Sequence, residues 1–187
     1  VDGPVRNVGP MVEPFSNLKS RHGAYFVTGN HDMYSGPNSW IARVRELGIQ
    51  VLVNEHVLLA EGRFALAGVH DHQGRMLDPA LAEDVDGALA GVPDDVPTIL
   101  LAHDPNTFKV ASKRRVTLQV SGHTHDGQIW PFKYLVRIVI PWVAGLYRVD
   151  GRAIYVSRGT GFWGPPMRLG APAEITELTL IPEDETR

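Results

Sequence analysis

Three short apolar runs of this sequence lead directly into asparagine or histidine, and this feature limits the fold more than any other. The runs AYFVTG (24–29), PTILLAH (97–103) and VTLQVSG (116–122) have the length and the β-branched content of buried strands. The residues at or just beyond their ends are Asn30, His31, Asp32, His103, His123 and His125. Ligands of open α/β sheets bind beyond the carboxyl ends of strands, so we expect these side chains to meet at one edge.

The rest of the chain alternates between helical and strand-like patterns. Helices are predicted over 9–23, 38–48, 78–92 and 104–115, and further strands over 49–55, 56–62, 63–69 and 174–181. Asn38 or Ser39 is the expected N-cap of the second helix, and a hairpin over 145–159 should turn at Asp150–Gly151. The alternation predicts an α/β protein with one mixed sheet or two sheets.

An apolar run over 134–147 is too short to span a membrane and is interrupted by Arg137 and Pro141. We interpret it as a buried or ligand-facing flap, with contact to a membrane surface as the less favoured alternative.

Composition narrows the chemistry further. The length of 187 residues suits a single domain over 1–187, and 43% of the residues are hydrophobic. The formal net charge of −3 provides no basic surplus for nucleic-acid binding. The chain has no cysteine, so any metal must be held by nitrogen and oxygen ligands.

The histidines and Asn30 form a chemically coherent set of metal ligands. Neutral imidazole binds zinc, manganese, iron or nickel, and an asparagine carbonyl is a harder oxygen donor. Residues i and i+2 point the same way in an extended chain, so His123 and His125 could each serve one of two adjacent ions. Asp32 follows His31 directly and is a candidate to orient its imidazole.

The motifs GNHD (29–32), LLAHD (100–104) and SGHTH (121–125), in this order, closely resemble those of the calcineurin-like metallophosphoesterases. The longer segments VTGNHDMYSG, SGHTHDGQIWP and SRGTGFWGPPMRLGAPAEI resemble sequences of the bacterial branch that often carries an N-terminal membrane anchor or signal. The resemblance extends over 24–180.

The resemblance implies a fold, a site and a reaction. The fold would be an α/β/β/α sandwich of two mixed sheets flanked by helices. Asn30, His103 and His123 match the ligands of one divalent ion (Mn, Fe, Zn or Ni), and His125 matches a ligand of a second. His31 matches the catalytic histidine beside the scissile phosphate, and Asp32 its orienting carboxylate. The implied reaction is hydrolysis of a phosphomonoester or phosphodiester by metal-bound hydroxide.

The sequence departs from the family pattern at its beginning. No D-x-H motif precedes residue 30, and the opening VDG resembles the tail of a G-D-x-x-D motif, with Asp2 as the second, non-bridging aspartate. We therefore expect a C-terminal portion that lacks the first strands, binds one ion or none, and is weakly active. Without those first strands, a sheet edge or an apolar face of the domain would be left uncovered.

Several alternatives stay open. A non-catalytic binding or scaffold module and a single-metal hydrolase are the rival functions. The substrate would be a small-molecule or lipid-linked phosphate ester. Membrane association through a segment upstream would place the parent protein at a membrane or outside the cytoplasm, although a cytoplasmic location stays open.

His70 and His72 are interpreted as part of a polar loop whose turn Asp71 organises, rather than as ligands. Arg158 and Arg168 are candidates for phosphate contacts or for a surface loop.

Overall fold

A computed structural model describes residues 2–181 and shows an α/β fold built on a six-stranded mixed sheet. The strands are β1 (Tyr25–Phe26), β2 (Gln50–Val51), β3 (Glu55–Leu59), β4 (Phe64–Gly68), β5 (Thr98–Leu101), β6 (Leu118–Ser121), β7 (Gly145–Val149) and β8 (Arg152–Val156). The helices are α1 (Val5–Val8), α2 (Asn30–Tyr34), α3 (Pro37–Glu46), α4 (Val85–Leu89), α5 (Phe108–Ala111) and α6 (Lys133–Val139).

The large sheet has a parallel centre and antiparallel edges. Its strand order is β3-β4-β5-β6-β8-β7, in which β4, β5, β6 and β8 run parallel while β3 and β7 pair antiparallel with their neighbours. Strands β1 and β2 form a separate two-stranded sheet. The predicted α/β class with two sheets flanked by helices is confirmed, although the smaller sheet is parallel rather than mixed.

The two faces of the large sheet are covered unequally. On one face Leu100, Ile154 and Val156 are buried against α4 and α5, where Phe108 is completely buried. On the other face apolar side chains such as Ile99 are only half-buried and line an open groove of about 1110 Å³. Helix α3 packs its buried Ile41 and Val44 against the smaller sheet in a second apolar cluster.

The predicted elements are largely present but shorter and differently capped. Helix α3 begins at Pro37 after Gly36, which has φ +96°, so neither Asn38 nor Ser39 is the N-cap. The predicted helix 78–92 is divided into a 3-10 turn (Pro79–Leu81) and α4, because Asp78 and Asp84 each cap a separate turn.

The predicted helix 9–23 is replaced by a 3-10 segment (Gly9–Asn17) that contains Pro14, a residue without a backbone N–H for helical bonding, and α1 lies just before it. The predicted helix 104–115 is likewise a 3-10 turn (Pro105–Thr107) followed by α5.

The end of the described chain shows one confirmed prediction and one wrong one. Strands β7 and β8 form the expected hairpin, and Asp150 and Gly151 adopt the positive φ angles of its tight turn. The predicted strand 174–181 is absent, since this segment is irregular and Glu174 instead bonds Gly159 O through its backbone N–H, at 3.0 Å. Among residues 2–181, no helix is both long enough and apolar enough to cross a membrane.

Candidate metal centre

Two adjacent strand ends and one helix start bring the predicted ligands together. His103 follows β5 and His123 follows β6, and these strands are parallel neighbours, so both histidines emerge at the same sheet edge. The Gly122 N–H donates to His103 O at 3.1 Å and extends the pairing to the histidines themselves. Asn30 begins α2, which follows β1 of the smaller sheet. The site therefore lies between the two sheets' carboxyl ends, as the strand-end pattern predicts.

Asn30, His103 and His123 converge on a single point. Asn30 Oδ1 lies 3.1 Å from His103 Nε2 and 3.2 Å from His123 Nδ1, and the two rings meet edge to face with centroids 5.2 Å apart. Ligands held at about 2.1 Å from one ion, at right or tetrahedral angles, lie about 3.0–3.4 Å from each other. Both distances from Asn30 Oδ1 fall in this range, and the N₂O donor set suits a borderline divalent metal.

Burial disfavours the protonated form of both histidines of this cluster. Burial, together with the nearby His123 and His125, lowers the pKa of His103 to about 3. Burial also lowers the pKa of His123, against the opposing influence of Asp104. A neutral imidazole is the form that binds metal. Within residues 2–181, no group of three His, Cys, Asp or Glu side chains could hold a metal ion. The Asn30 cluster differs from such a group in that its third donor is an asparagine.

The GHTHDGQ loop is held in a strained backbone conformation. His123, His125, Asp126 and Gln128 all have φ between 52° and 68°, a region that residues other than glycine seldom adopt. The extended geometry expected for His123 and His125 is therefore wrong. Such strain costs roughly 1–3 kcal/mol per residue and concentrates at functional sites, where the surrounding structure must hold it.

His125 lines the same cleft but does not join the Asn30 cluster. Its Nδ1 accepts a hydrogen bond at 2.9 Å from Arg168 Nη2, which also donates to Arg158 O at 2.8 Å. Burial lowers the pKa of His125, and the charge of Arg168 lowers it further. A basic nitrogen is thus turned toward a permanent cation.

The carboxylate beside His31 comes from Asp2. Asp2 Oδ1 lies 2.6 Å from His31 Nδ1, whereas Asp32 Oδ2 accepts the Gly29 N–H at 2.7 Å and closes the first turn of α2. The prediction that Asp32 orients His31 is therefore replaced by this Asp2 contact, which joins residues 29 positions apart.

The cleft that contains these residues has a volume of about 670 Å³ and two unlike walls. One wall carries the Asn30 cluster, His31 and Asp2. The other is apolar and consists of α6 side chains together with Phe162 and Trp163. Leu135, Val136, Val139 and Ile140 of the predicted flap line this cleft, but no periodic signal indicated that α6 and the 162–163 loop would lie together.

The second histidine-rich stretch is structural, as interpreted from the sequence. Asp71 Oδ1 accepts the Gln73 N–H at 2.9 Å and forms the turn. His70 is buried with its Nδ1 at 3.3 Å from Thr28 Oγ1, and His72 Nδ1 lies 3.4 Å from Glu83 Oε2. Neither histidine lines the cleft.

Comparison with curated proteins gives the family. The chain is 40% identical to an uncharacterized metallophosphoesterase of Helicobacter pylori over 99% of its length, covering 50% of that protein. It is 39% identical to a Danio rerio transmembrane protein with metallophosphoesterase domain, covering 96% of this chain and 43% of that protein. It is 33% identical to an uncharacterized metallophosphoesterase of Aquifex aeolicus, over 96% of this chain and 69% of that protein.

The chain belongs to the calcineurin-like metallophosphoesterase family. It spans about half the length of the first curated relatives it matches. No family model and no solved structure matches it.

Proposed function

We propose that this domain is the metal-binding C-terminal part of a phosphoesterase and that the chain itself binds one divalent ion. The contacts of Asn30 Oδ1 with His103 Nε2 at 3.1 Å and with His123 Nδ1 at 3.2 Å are the observation that carries the proposal. Manganese, iron, zinc and nickel all suit this donor set. An ion bound there supplies Lewis-acid polarisation of a phosphoryl oxygen and lowers the pKa of a coordinated water.

The surrounding residues have separate roles in this proposal. His31, held at Nδ1 by Asp2, presents its other ring nitrogen for holding a proton at the leaving oxygen of the ester. Asp32 keeps the start of α2 in place through the Gly29 N–H, and thereby positions Asn30 and His31. Asn30, His103 and His123 bind the metal ion and do not transfer protons.

His125 is the ligand that we assign to a second ion in a complete site. In this chain its Nδ1 faces Arg168 Nη2 at 2.9 Å, an arrangement that opposes a further cation. We therefore propose that two-ion catalysis needs further residues from outside this chain. For the same reason, the chain alone should be only weakly active. Of the two rival functions, the single-ion hydrolase is the one that the described donor set favours.

The substrate class follows from the two walls of the cleft. Phosphate belongs against the metal side, and an apolar or amphiphilic leaving group fits against α6 and Trp163. The expected substrates, small-molecule or lipid-linked phosphate esters, narrow on this ground to esters with an apolar group. Membrane association of the parent protein is proposed from the Danio rerio transmembrane relative named above.

Metal titration tests the binding part directly. Calorimetry with Mn²⁺ and Zn²⁺, and elemental analysis of the purified chain, should give one ion per chain. His103→Ala should abolish binding, while His56→Ala, a half-buried histidine bonded to Ala88 O, should leave it unchanged. Binding that survives in the His103→Ala variant would contradict the proposed site.

Hydrolysis of a chromogenic phosphodiester tests the activity part. The 187-residue chain should be nearly inactive with either metal, whereas the full-length protein should turn the ester over. Robust metal-dependent hydrolysis by the chain alone would overturn the incomplete-site proposal, and an inactive, metal-loaded full-length protein would favour a scaffold.

A further inference from the structure

Helix α6 exposes an apolar surface that the protein itself does not cover. Its seven residues include none that is buried, and Ile138 and Val139 are 80% and 70% exposed. Isolated helices of this length are marginal in water, and most helical stability comes from packing an apolar face. Apolar side chains of this helix that lie beyond the cleft are therefore left uncovered by the described residues.

A neighbouring loop continues this surface. Phe132 at the start of α6 lies with its ring centroid 6.0 Å from that of Trp163. Gln128 fixes the loop, because its side chain bonds both the N–H and the C=O of Trp163 at 2.7 Å. Leu169 is tied to Trp130 by a backbone bond of 2.8 Å and, like Trp130, is more than half exposed. The apolar rim (129–139 and 162–169) is thus a held surface rather than a loose loop.

The charge of this part of the chain is opposite to that of the rest. The rim residues 129–139 and 162–169 contain Lys133, Arg137 and Arg168 and no acidic residue, a net charge of +3, while the whole chain carries −3. Lys133 and Arg137 lie on α6 itself, four residues apart and hence on one side of the helix, beside the apolar Tyr134 and Ile138. A basic amphipathic helix of this kind suits an anionic interface.

We propose that the apolar rim binds the surface of an anionic lipid bilayer. Ile138 and Val139 enter the acyl boundary, Trp130, Tyr134 and Trp163 lie at the level of the headgroups, and Lys133 and Arg137 meet anionic lipids. A symmetric pairing of two copies through this surface would instead set each copy's cations against the other's. If the proposed function holds, the phosphate ester reaches the metal side of the cleft from the membrane surface, with its apolar group along α6.

Binding to vesicles tests this surface without any use of enzymatic activity. The 187-residue chain should sediment with vesicles of phosphatidylcholine and phosphatidylglycerol, and less with phosphatidylcholine alone or at high salt. Ile138→Asp should weaken binding by at least about tenfold, since it replaces a membrane-inserted aliphatic side chain by a charge. Arg137→Glu should weaken binding to the anionic vesicles by more than about fivefold and leave binding to neutral vesicles unchanged.

Met76→Asp is the matched control, because Met76 is 78% exposed but lies in the 3-10 turn His72–Met76, outside the rim. Its binding should equal that of the unchanged chain, and circular dichroism should show all variants folded. The proposal is overturned if the chain fails to bind anionic vesicles, if Ile138→Asp binds as well as Met76→Asp, or if light scattering shows a dimer that Ile138→Asp dissociates. Because metal titration is measured separately, failure here is distinguishable from failure of the proposed function.

Discussion

Asp2 Oδ1 lies 2.6 Å from His31 Nδ1, and this contact joins the opening loop of the chain to the first turn of α2. A carboxylate in this position holds the imidazole in one orientation and favours the tautomer with the proton on Nδ1. Gly3 is anchored in the same region, where its N–H donates to Ser35 Oγ at 3.0 Å and its carbonyl accepts from Trp40 Nε1. The opening loop is therefore placed by α2 and α3.

The Asp2→Ala variant should lose the tautomer preference of His31. In the unchanged chain, ¹⁵N chemical shifts of neutral His31 should report a protonated Nδ1, because the Asp2 carboxylate accepts that proton. Asp95→Ala, an exposed carboxylate elsewhere, is the control and should leave the shifts unchanged. A preference for Nδ1–H that persists in Asp2→Ala would contradict the assigned contact.

Substitutions of His31 and His123 should separate catalysis from binding in the full-length protein. His31→Ala should reduce turnover by about 100-fold or more while metal content stays nearly constant, since its ring contacts Asp2 and not the Asn30 cluster. His123→Ala should lose metal as well as activity, because it removes one of three converging donors. Elemental analysis alongside a turnover assay checks both, and full metal with full activity in both variants would disprove the assignment.

Gly29→Ala should disturb the site more than the fold. A Cβ at residue 29 would lie 3.0 Å from three ring atoms of His103, so the imidazole must move and its contact with Asn30 is disturbed. We expect metal affinity to fall roughly tenfold and the free energy of unfolding to fall by less than about 2 kcal/mol. Calorimetric titration and urea unfolding measure the two effects.

Gly161→Ala is the control for this substitution, because a Cβ there meets no atom within 4 Å and the backbone does not have a positive φ. Equal metal affinity in both variants would show that His103 tolerates the added methyl group.

Asp71 should make the domain more stable as the pH falls toward 4. Burial raises its pKa to about 6, partly offset by the Gln73 N–H, and its Oδ2 has no hydrogen-bond partner among the described residues. Since the folded-state pKa lies above the unfolded value of about 3.8, the protonated form contributes stability that is complete below pH 4 and lost as the pH rises through 6.

Asp71→Asn should remove this pH dependence and stabilise the domain by about 1–2 kcal/mol at pH 7, because the amide oxygen still accepts from Gln73 without a buried charge. Urea unfolding between pH 4 and 8 provides the measurement. Asp95→Asn, at an exposed position, should change neither the slope nor the stability. An unchanged slope in Asp71→Asn would show that Asp71 is not its source.

The sequence by itself determined the α/β class and the family of this protein. His103 and His123 could be placed together because each directly follows a buried strand, and adjacent parallel strands end at the same edge. Local turn chemistry was equally readable at Asp150–Gly151 and at Asp71. In each of these cases the deciding interactions lie within a few residues or follow from strand periodicity.

Only the tertiary structure decided which side chains meet across long separations. The Asp2–His31 contact, the Arg168–His125 contact and the joining of α6 to the Trp163 loop depend on how elements pack, and local spacing carries no information about them. The positive φ angles of His123 and His125 were equally hidden, because local propensity disfavours them and the surrounding contacts must enforce them. The missing strand at 174–181 has the same origin: its alternating pattern is suitable for a strand, but the segment is held by contacts such as that of Glu174 with Arg158 rather than by a sheet edge.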